Sequence, residues 1–292
     1  MAHTLIERQV QEEKLVLLTK KTFVKVRQSL NRNPGLSDRD RGKKFNISRS
    51  LARKMRLKCG YKSYRAIRYP NRTDKQKIDI KKRTRLLYDK ILTKHSGCII
   101  MDDETYLKYD FNQLPGPKFY TAVNRKTVSS KYKYKMMDKF GKKAMIWQAI
   151  CSCGLKSRTF VTSSSMTSSL YIKECLNKRI LPLIRSHKCS TKFWPDLATI
   201  HYAKDTLAWY KGNKVDFVPK HMNPPNCPQF RPIEKYWGIM KGYLRKSGKV
   251  VKNNDLLKKE WEKTSKKVTP KVVQNLMSSI KPKVRAFLRN EE

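Results

Sequence analysis

Acids are scarce in this chain, 23 Asp and Glu among 292 residues, so those that follow apolar runs stand out as groups able to do chemistry. Three places qualify. Cys98-Ile99-Ile100-Met101 runs into Asp102-Asp103-Glu104, Phe193-Trp194-Pro195 runs into Asp196, and a proline-rich loop from Asn223 to Pro228 leads through Arg231-Pro232 to Glu234. Asp103, Asp196 and Glu234, drawn from two strand ends and a helix start, would offer hard oxygen ligands to Mg²⁺ or Mn²⁺ while leaving positions open for phosphate and water. Two such ions, about 3.5–4 Å apart, activate an attacking oxygen and stabilise a leaving one in phosphodiester chemistry. The competing reading is that these acids merely balance nearby lysines, and any one of them alone would be read so.

The elements that must position these groups follow from the apolar pattern. Short apolar runs bounded by turn residues predict buried strands at 98–101, 144–150, 159–162, 192–195 and 215–218. Leu170, Ile172, Leu176, Ile180 and Leu183-Ile184 keep helical spacing between them. Strands interleaved with helices predict an α/β domain with a partly parallel sheet, in which functional groups gather at the carboxyl ends of strands. Asp103 and Asp196 each sit at such an end. Pro232 suits the first turn of a helix whose core face is Ile233, Trp237, Met240 and Leu244. Glu234 then lies about 100° around from that face, at the helix rim. His201 reads as a structural residue at a helix start, and Trp194, Trp209 and Trp237 as core.

The first third differs in composition. Ser48 is a candidate N-cap for a helix in which Leu51 and Met55 point inward and Arg49, Arg53 and Lys54 outward. With a short helix over 39–45 before it, this is the pattern of a helix-turn-helix that delivers basic side chains to a major groove. Ser48, Arg49, Arg53 and Lys54 are the candidate DNA-binding residues. The expected domains are a helical region over 1–75, a basic linker helix over 76–95, and an α/β domain over 96–292, with the likeliest break at Tyr69-Pro70-Asn71-Arg72.

With 67 Lys and Arg against the 23 acids, the formal net charge is +44. A compact body so charged binds polyanions, and phosphate backbones release condensed counterions when Lys or Arg meet them. No run approaches the roughly 18 apolar residues of a membrane span, and the first 20 residues lack a signal peptide's apolar block; a membrane partner is not expected. Lys81-Lys82-Arg83 is a candidate nuclear import patch, and a nuclear location is expected. The seven cysteines are scattered, with Cys151-Ser-Cys153 the only close pair and no Cys-x-x-Cys. They read as free thiols in a reducing compartment rather than a zinc site.

The segments MDDETY at 101–106, WPDLATIHYAKDTLAWY at 194–210 and NPPNCPQFRPIEKYWGIMK at 223–241 resemble transposases of the mariner superfamily. That family cuts and pastes DNA with a ribonuclease H-like core bearing Asp, Asp, and Glu or Asp. Here 92 residues separate Asp103 from Asp196 and 37 separate Asp196 from Glu234, which fits its pattern. The family's first motif has Asp followed by Glu, matching Asp103-Glu104, so the resemblance makes Asp103 the ligand and Asp102 its neighbour. It also extends to PGLSDRDRGKKFNISRSLARKM as the helix-turn-helix, although Arg41 and Gly42 stand where a core aliphatic and Ala are typical.

The resemblance implies a ribonuclease H-like α/β domain behind an all-α DNA-binding region. It further implies binding to terminal inverted repeats, hydrolysis at the element ends with two Mg²⁺ or Mn²⁺ ions, and joining of 3′-hydroxyls to target DNA by a homodimer. The alternatives are a transposase-derived protein that binds DNA without catalysis and, on charge alone, a structural RNA-binding protein.

Overall fold

A computed structural model describes residues 20–63, 72–115, 126, 129–130, 134, 138–139 and 141–289. The chain forms two compact units that divide between Tyr69 and Pro70. The break expected at 69–71 itself lies outside the described residues, whereas Arg72 is buried.

The first unit is helical: α1 over 20–32, α2 from Asp38 to Phe45, and α3 from Arg49 to Lys58. Val26 and Leu30 of α1 meet Met55 of α3 in a small core, with Leu51 packed against it. Each of the two later helices starts on a serine. Ser37 Oγ accepts from the Asp40 amide and Ser48 Oγ from the Leu51 amide, satisfying N–H groups that have no partner inside the helix. Asn46 closes α2 in the left-handed conformation, φ 52°.

The two unusual residues of this region have structural reasons. A Cβ on Gly42 would come within 2.8 Å of the Ile47 carbonyl oxygen, so the tight α2–α3 crossing requires glycine. Arg41 is buried because its guanidinium donates to the carbonyls of Asn33 and Leu36, near the end of α1. Arg56, likewise buried, pairs with Asp38 at 3.0 Å and donates to the Tyr61 carbonyl.

The second unit is built on a four-stranded mixed sheet: β1 (Cys98–Lys108), β2 (Lys143–Cys151), β3 (Phe160–Thr162) and β4 (Thr191–Trp194). The order is β3-β2-β1-β4, with β1 antiparallel to β2 and parallel to β4. The stretch expected as a strand at 215–218 joins only through an isolated parallel bridge between Phe217 and Phe193. Residues of β1 alternate between two cores. Ile99 and Met101 face one, shared with α7 (Pro232–Ser247), α8 (Asn254–Lys267), α9 (Pro270–Ser278) and α10 (Ile280–Leu288). Ile100 faces the other, shared with α5, a helical segment over 168–185, and α6 (Lys204–Gly212).

The segment expected as a basic linker is part of this unit. Helix α4 (Asp74–Leu87), opened by a Thr73–Gln76 capping box, buries Ile80 and Leu87 in the first core, and Ile91 and Leu92 follow them. Its lysines hid an apolar face at helical spacing.

Candidate active site

The parallel pairing of β1 with β4 stops at Met101 opposite Trp194. Strand β1 itself runs on to Lys108 against β2, so Asp103 lies inside the strand, opposite Gln148, rather than at its carboxyl end as expected, whereas Asp196 does follow the end of β4. Asp103 follows Met101 by two residues and Asp196 follows Trp194 by two. Helix α7 opens with Pro232 at its start, burying Ile233, Trp237, Met240 and Leu244 and leaving Glu234 exposed in the first turn. Asp103, Asp196 and Glu234 line one cavity of about 370 Å³, together with Trp194, Asn223 and Arg231.

The tightest group is Asp103 and Asp196 of that cavity with Glu104, which does not line it; ligand oxygens of the three lie within 4.8 Å of one another. Glu104 was not among the expected ligands. Its Oε1 is buried without a hydrogen-bond donor and sits 3.8 Å from His201 Nε2. Three converging carboxylates, one with an orphaned oxygen, suit a hard divalent cation, and an all-oxygen donor set favours Mg²⁺ or Mn²⁺ over thiophilic metals.

Neighbouring groups fix each acid. Trp237 Nε1 donates to Asp103 Oδ2 at 2.9 Å, so this core tryptophan also orients the Asp103 carboxylate. Arg231 donates to the Asp102 carbonyl oxygen and, at 3.4 Å, to that of Trp194, tying the end of β4 to the adjoining stretch of β1. Asn223, buried in the proline-rich loop, accepts from Trp194 Nε1 and donates to the Pro195 carbonyl, which holds the loop against the end of β4. The Ala198 amide donates to Asp196 Oδ1 at 2.8 Å.

His201 is more than a structural residue. Fully buried, it places Nδ1 2.5 Å from Asp196 Oδ1. Burial opposes its charge, but Asp196, Glu104 and Asp102 outweigh burial and hold its pKa up at about 10. Burial would likewise raise Asp196, yet the His201 contact and charge, with the Ala198 amide, bring it down to about 2. Asp103 behaves oppositely. Desolvation carries it up to about 7 against Arg231 and the Trp237 bond, with Glu234 and Glu104 adding to the rise. His201 is thus the internal counter-charge of the cluster; its position five residues after Asp196 in the chain was the only signal available for it.

Asp102 occupies the opposite face of β1. It is fully buried, its Oδ2 accepting from Tyr171 Oη at 2.6 Å and Trp147 Nε1 at 3.1 Å, and burial raises its pKa. In the first unit, Arg49, Arg53 and Lys54 are exposed along α3, and Ser48 uses its hydroxyl as the cap.

No protein-family model matches the sequence, and no curated protein matches it. Among solved structures, the chain is similar to the Mos1 transposase paired-end complex with left transposon end, at a TM-score of 0.70 and 12% identity over 92% of this chain and 78% of that one. It is similar to the Mos1 mariner paired-end complex with Mn at 0.70 and 13% identity, with the same coverage. The catalytic domain of Mos1 mariner transposase aligns at 0.54 and 12% identity, over 77% of this chain and 97% of that one. The shared feature is the fold: a ribonuclease H-like α/β domain preceded by a helical region.

Proposed function

We propose that this chain is a metal-dependent cut-and-paste DNA transposase that binds terminal inverted repeats, cleaves at the element ends and joins 3′-hydroxyls to target DNA. The observation that carries the reading is the gathering of Asp103, Glu104 and Asp196 within 4.8 Å, beside a cavity that Asp103, Asp196 and Glu234 line together. The fold's likeness to Mos1 complexes that include a strand transfer complex supports it, as does the charge of +44. Pairing of two ends implies a homodimer, and DNA as substrate implies a nuclear location in a nucleated cell.

Asp103, Asp196 and Glu234 would hold two Mg²⁺ or Mn²⁺ ions, with Glu104 beside them. When bound, such ions lower the pKa of an attacking oxygen and stabilise the leaving one. The chain's own groups prepare that site. Trp237 keeps Asp103 turned to the cavity, the Ala198 amide and His201 hold Asp196 ionised, and Arg231 ties β1 to the end of β4 so that the two aspartates keep their spacing. Arg49, Arg53 and Lys54 of α3 present cations to a major groove.

The test is cleavage of a labelled duplex carrying the flanking repeats of the source element, with and without Mg²⁺ or Mn²⁺. Metal-dependent nicking at the repeat ends is expected. Replacing Arg53 with Ala should cost about 1–3 kcal/mol of preference for the repeat over random duplex if it contacts a base. Binding without cleavage under any divalent metal would overturn the enzymatic reading and leave a DNA-binding protein. A preference for structured RNA over duplex would overturn both.

A further inference from the structure

The starts of β1 and β4 carry a second donor cluster, unrelated to the carboxylates. Cys98, Cys151, Cys153 and His187 place their Sγ and Nε2 atoms within 4.8 Å of one another. We propose that these four residues form a structural zinc site of the Cys₃His type. All seven cysteines are free thiols, as the sequence suggests, and what departs from that reading is only the ligand role of three of them: residues 98, 151, 153 and 187 have no zinc-finger spacing in sequence, and only the fold joins them.

Each donor is delivered by a defined local structure. Cys98 opens β1, and its amide donates to the Ser190 carbonyl just before β4. Cys151 ends β2 and Cys153 lies in the turn that follows. That turn is closed by bonds from the Gly154 amide to the Cys151 carbonyl and from the Cys151 amide to the Leu155 carbonyl. Gly154 has φ 95°, and a Cβ there would strike Pro270, so the turn depends on glycine. Ser152, between the two cysteines, is bonded through both its amide and its hydroxyl to the backbone of Ile99. The two thiols are therefore held beside the start of β1.

His187 comes from the segment after α5, and its state is set by its other nitrogen. Nδ1 lies 2.7 Å from the Leu183 carbonyl oxygen. A carbonyl only accepts, so Nδ1 carries the proton and Nε2 presents its lone pair, the arrangement that metal-bound histidines use. That lone pair faces Cys151 Sγ at 3.1 Å and Cys153 Sγ at 3.2 Å. Bond lengths of 2.3 Å to sulfur and 2.0–2.1 Å to nitrogen give a tetrahedral zinc site with ligand–ligand edges of about 3.5–3.8 Å. The four atoms need move only slightly to reach it.

Soft thiolates with one imidazole select zinc over the hard cations suited to the carboxylates, and four protein ligands close the coordination sphere, as in structural rather than catalytic zinc. Cys151 is buried while Cys98, Cys153 and His187 are partly exposed, which leaves an entry path. Cys189 Sγ lies 3.5 Å from Cys98 Sγ but stands outside the group of four.

The test is metal content, so it stands or falls independently of DNA cleavage. The full chain, produced with zinc in the medium and purified without chelator or metal-affinity tag, is dialysed exhaustively and measured by plasma mass spectrometry. About one zinc per chain is expected, retained in Asp196→Asn and Cys189→Ser, and lost in Cys153→Ser and His187→Ala. Should those last two fail to fold, Co²⁺ substitution of the unmutated chain decides. Thiolate-to-cobalt charge-transfer absorption and intense visible bands of tetrahedral cobalt are expected, both abolished by stoichiometric zinc. Three outcomes overturn the proposal: no bound zinc and no cobalt–thiolate absorption; zinc lost in Asp196→Asn but kept in Cys153→Ser; or a disulfide among Cys98, Cys151, Cys153 and Cys189 in the natively purified chain.

Discussion

Strands β1 and β4 run parallel, from Cys98 opposite Thr191 to Met101 opposite Trp194, so the two ends of that paired stretch are two shared addresses on one scaffold. Just past its far end stand hard donors, Asp103, Asp196 and Glu234 around an open cavity, with Glu104 close to the two aspartates. At the starts stand soft donors, three thiols and an imidazole, tied between a turn and the end of a helix. Asp103 lies five extended steps along β1 from Cys98, about 16 Å. The difference is one of use. The open end has room for a large anionic substrate, and its carboxylates repel one another until a cation arrives. The closed end fills its own coordination sphere and clamps the strands that carry the other. A site whose ligands must hold their spacing benefits from such a rigid second anchor.

The largest expected effect lies at the open end. Asp196→Asn keeps the shape and an acceptor for the Ala198 amide but removes the charge that pairs with His201 and would offset a divalent ion. Strand cleavage in Mg²⁺ should fall at least about a hundredfold, the scale of a few kcal/mol in barrier. Duplex affinity should barely change on a surface of +44, and zinc content should stay the same. Cleavage at the unmutated rate would break the distinction between the two ends, since Asp196 would then be no more catalytic than a thiol.

Sequence reading reaches the open end because its signal is local. Asp103, Asp196 and Glu234 each follow a recognisable apolar run or proline-marked helix start, and all three line the cavity. The same reading finds four of five expected strands, because apolar runs 98–101, 144–150, 159–162 and 192–195 have nothing but burial to explain them. It misses what depends on tertiary approach. Glu104 reads as the second letter of a motif, yet its oxygen meets Asp196 only through strand twist and loop placement. Arg41 reads as a break in a helix core, because its bonds to carbonyls near the end of α1 are invisible along the chain. Helix α4 reads as a linker because its basic residues mask Ile80 and Leu87. The thiol cluster is the extreme case, with four donors drawn from three separate segments of the chain.

A second expected effect is of intermediate size and reads the cost of the open end directly. Native Asp103 takes up its proton near pH 7, whereas an unfolded aspartate does so near 4. Between these values the native state binds more protons, so stability falls as pH rises through that window, and the penalty stands in full above it. Asp103→Asn keeps an oxygen for the Trp237 donor and removes the penalty. Without added divalent cation, the variant should be more stable than the parent by about 1–2 kcal/mol at pH 8, less than the full shift converts to, because water and neighbours relax around the charge. The gain should vanish near pH 4. Denaturant melts at several pH values check this, and a pH-independent difference would mean that Asp103 is ionised without strain and that the open end is not poised for a cation.

The smallest effect is expected one residue away, where the comparison is finest. Asp102 and Asp103 are neighbours on β1, but alternation sends them to opposite faces of the sheet. Asp103 meets the cavity; Asp102 meets Trp147 and Tyr171 in the apolar layer, where burial already favours its neutral form. Asp102→Asn preserves an acceptor oxygen for both donors and has almost the same volume, so neither packing nor the Arg231 bond to the backbone carbonyl needs to change. What it removes is the lesser support that Asp102 lends the His201 cation when ionised, and Asp196 and Glu104, which contribute first, remain. Cleavage should therefore stay within about fivefold of the parent, under about 1 kcal/mol in barrier. The fall seen with Asp196→Asn should be at least twentyfold larger in the same assay. Equal losses for Asp102→Asn and Asp103→Asn would show that both faces of β1 serve the site, and the carboxylate that follows Met101 would then have to be counted as a ligand reached through strand rearrangement rather than as the buried neighbour of one.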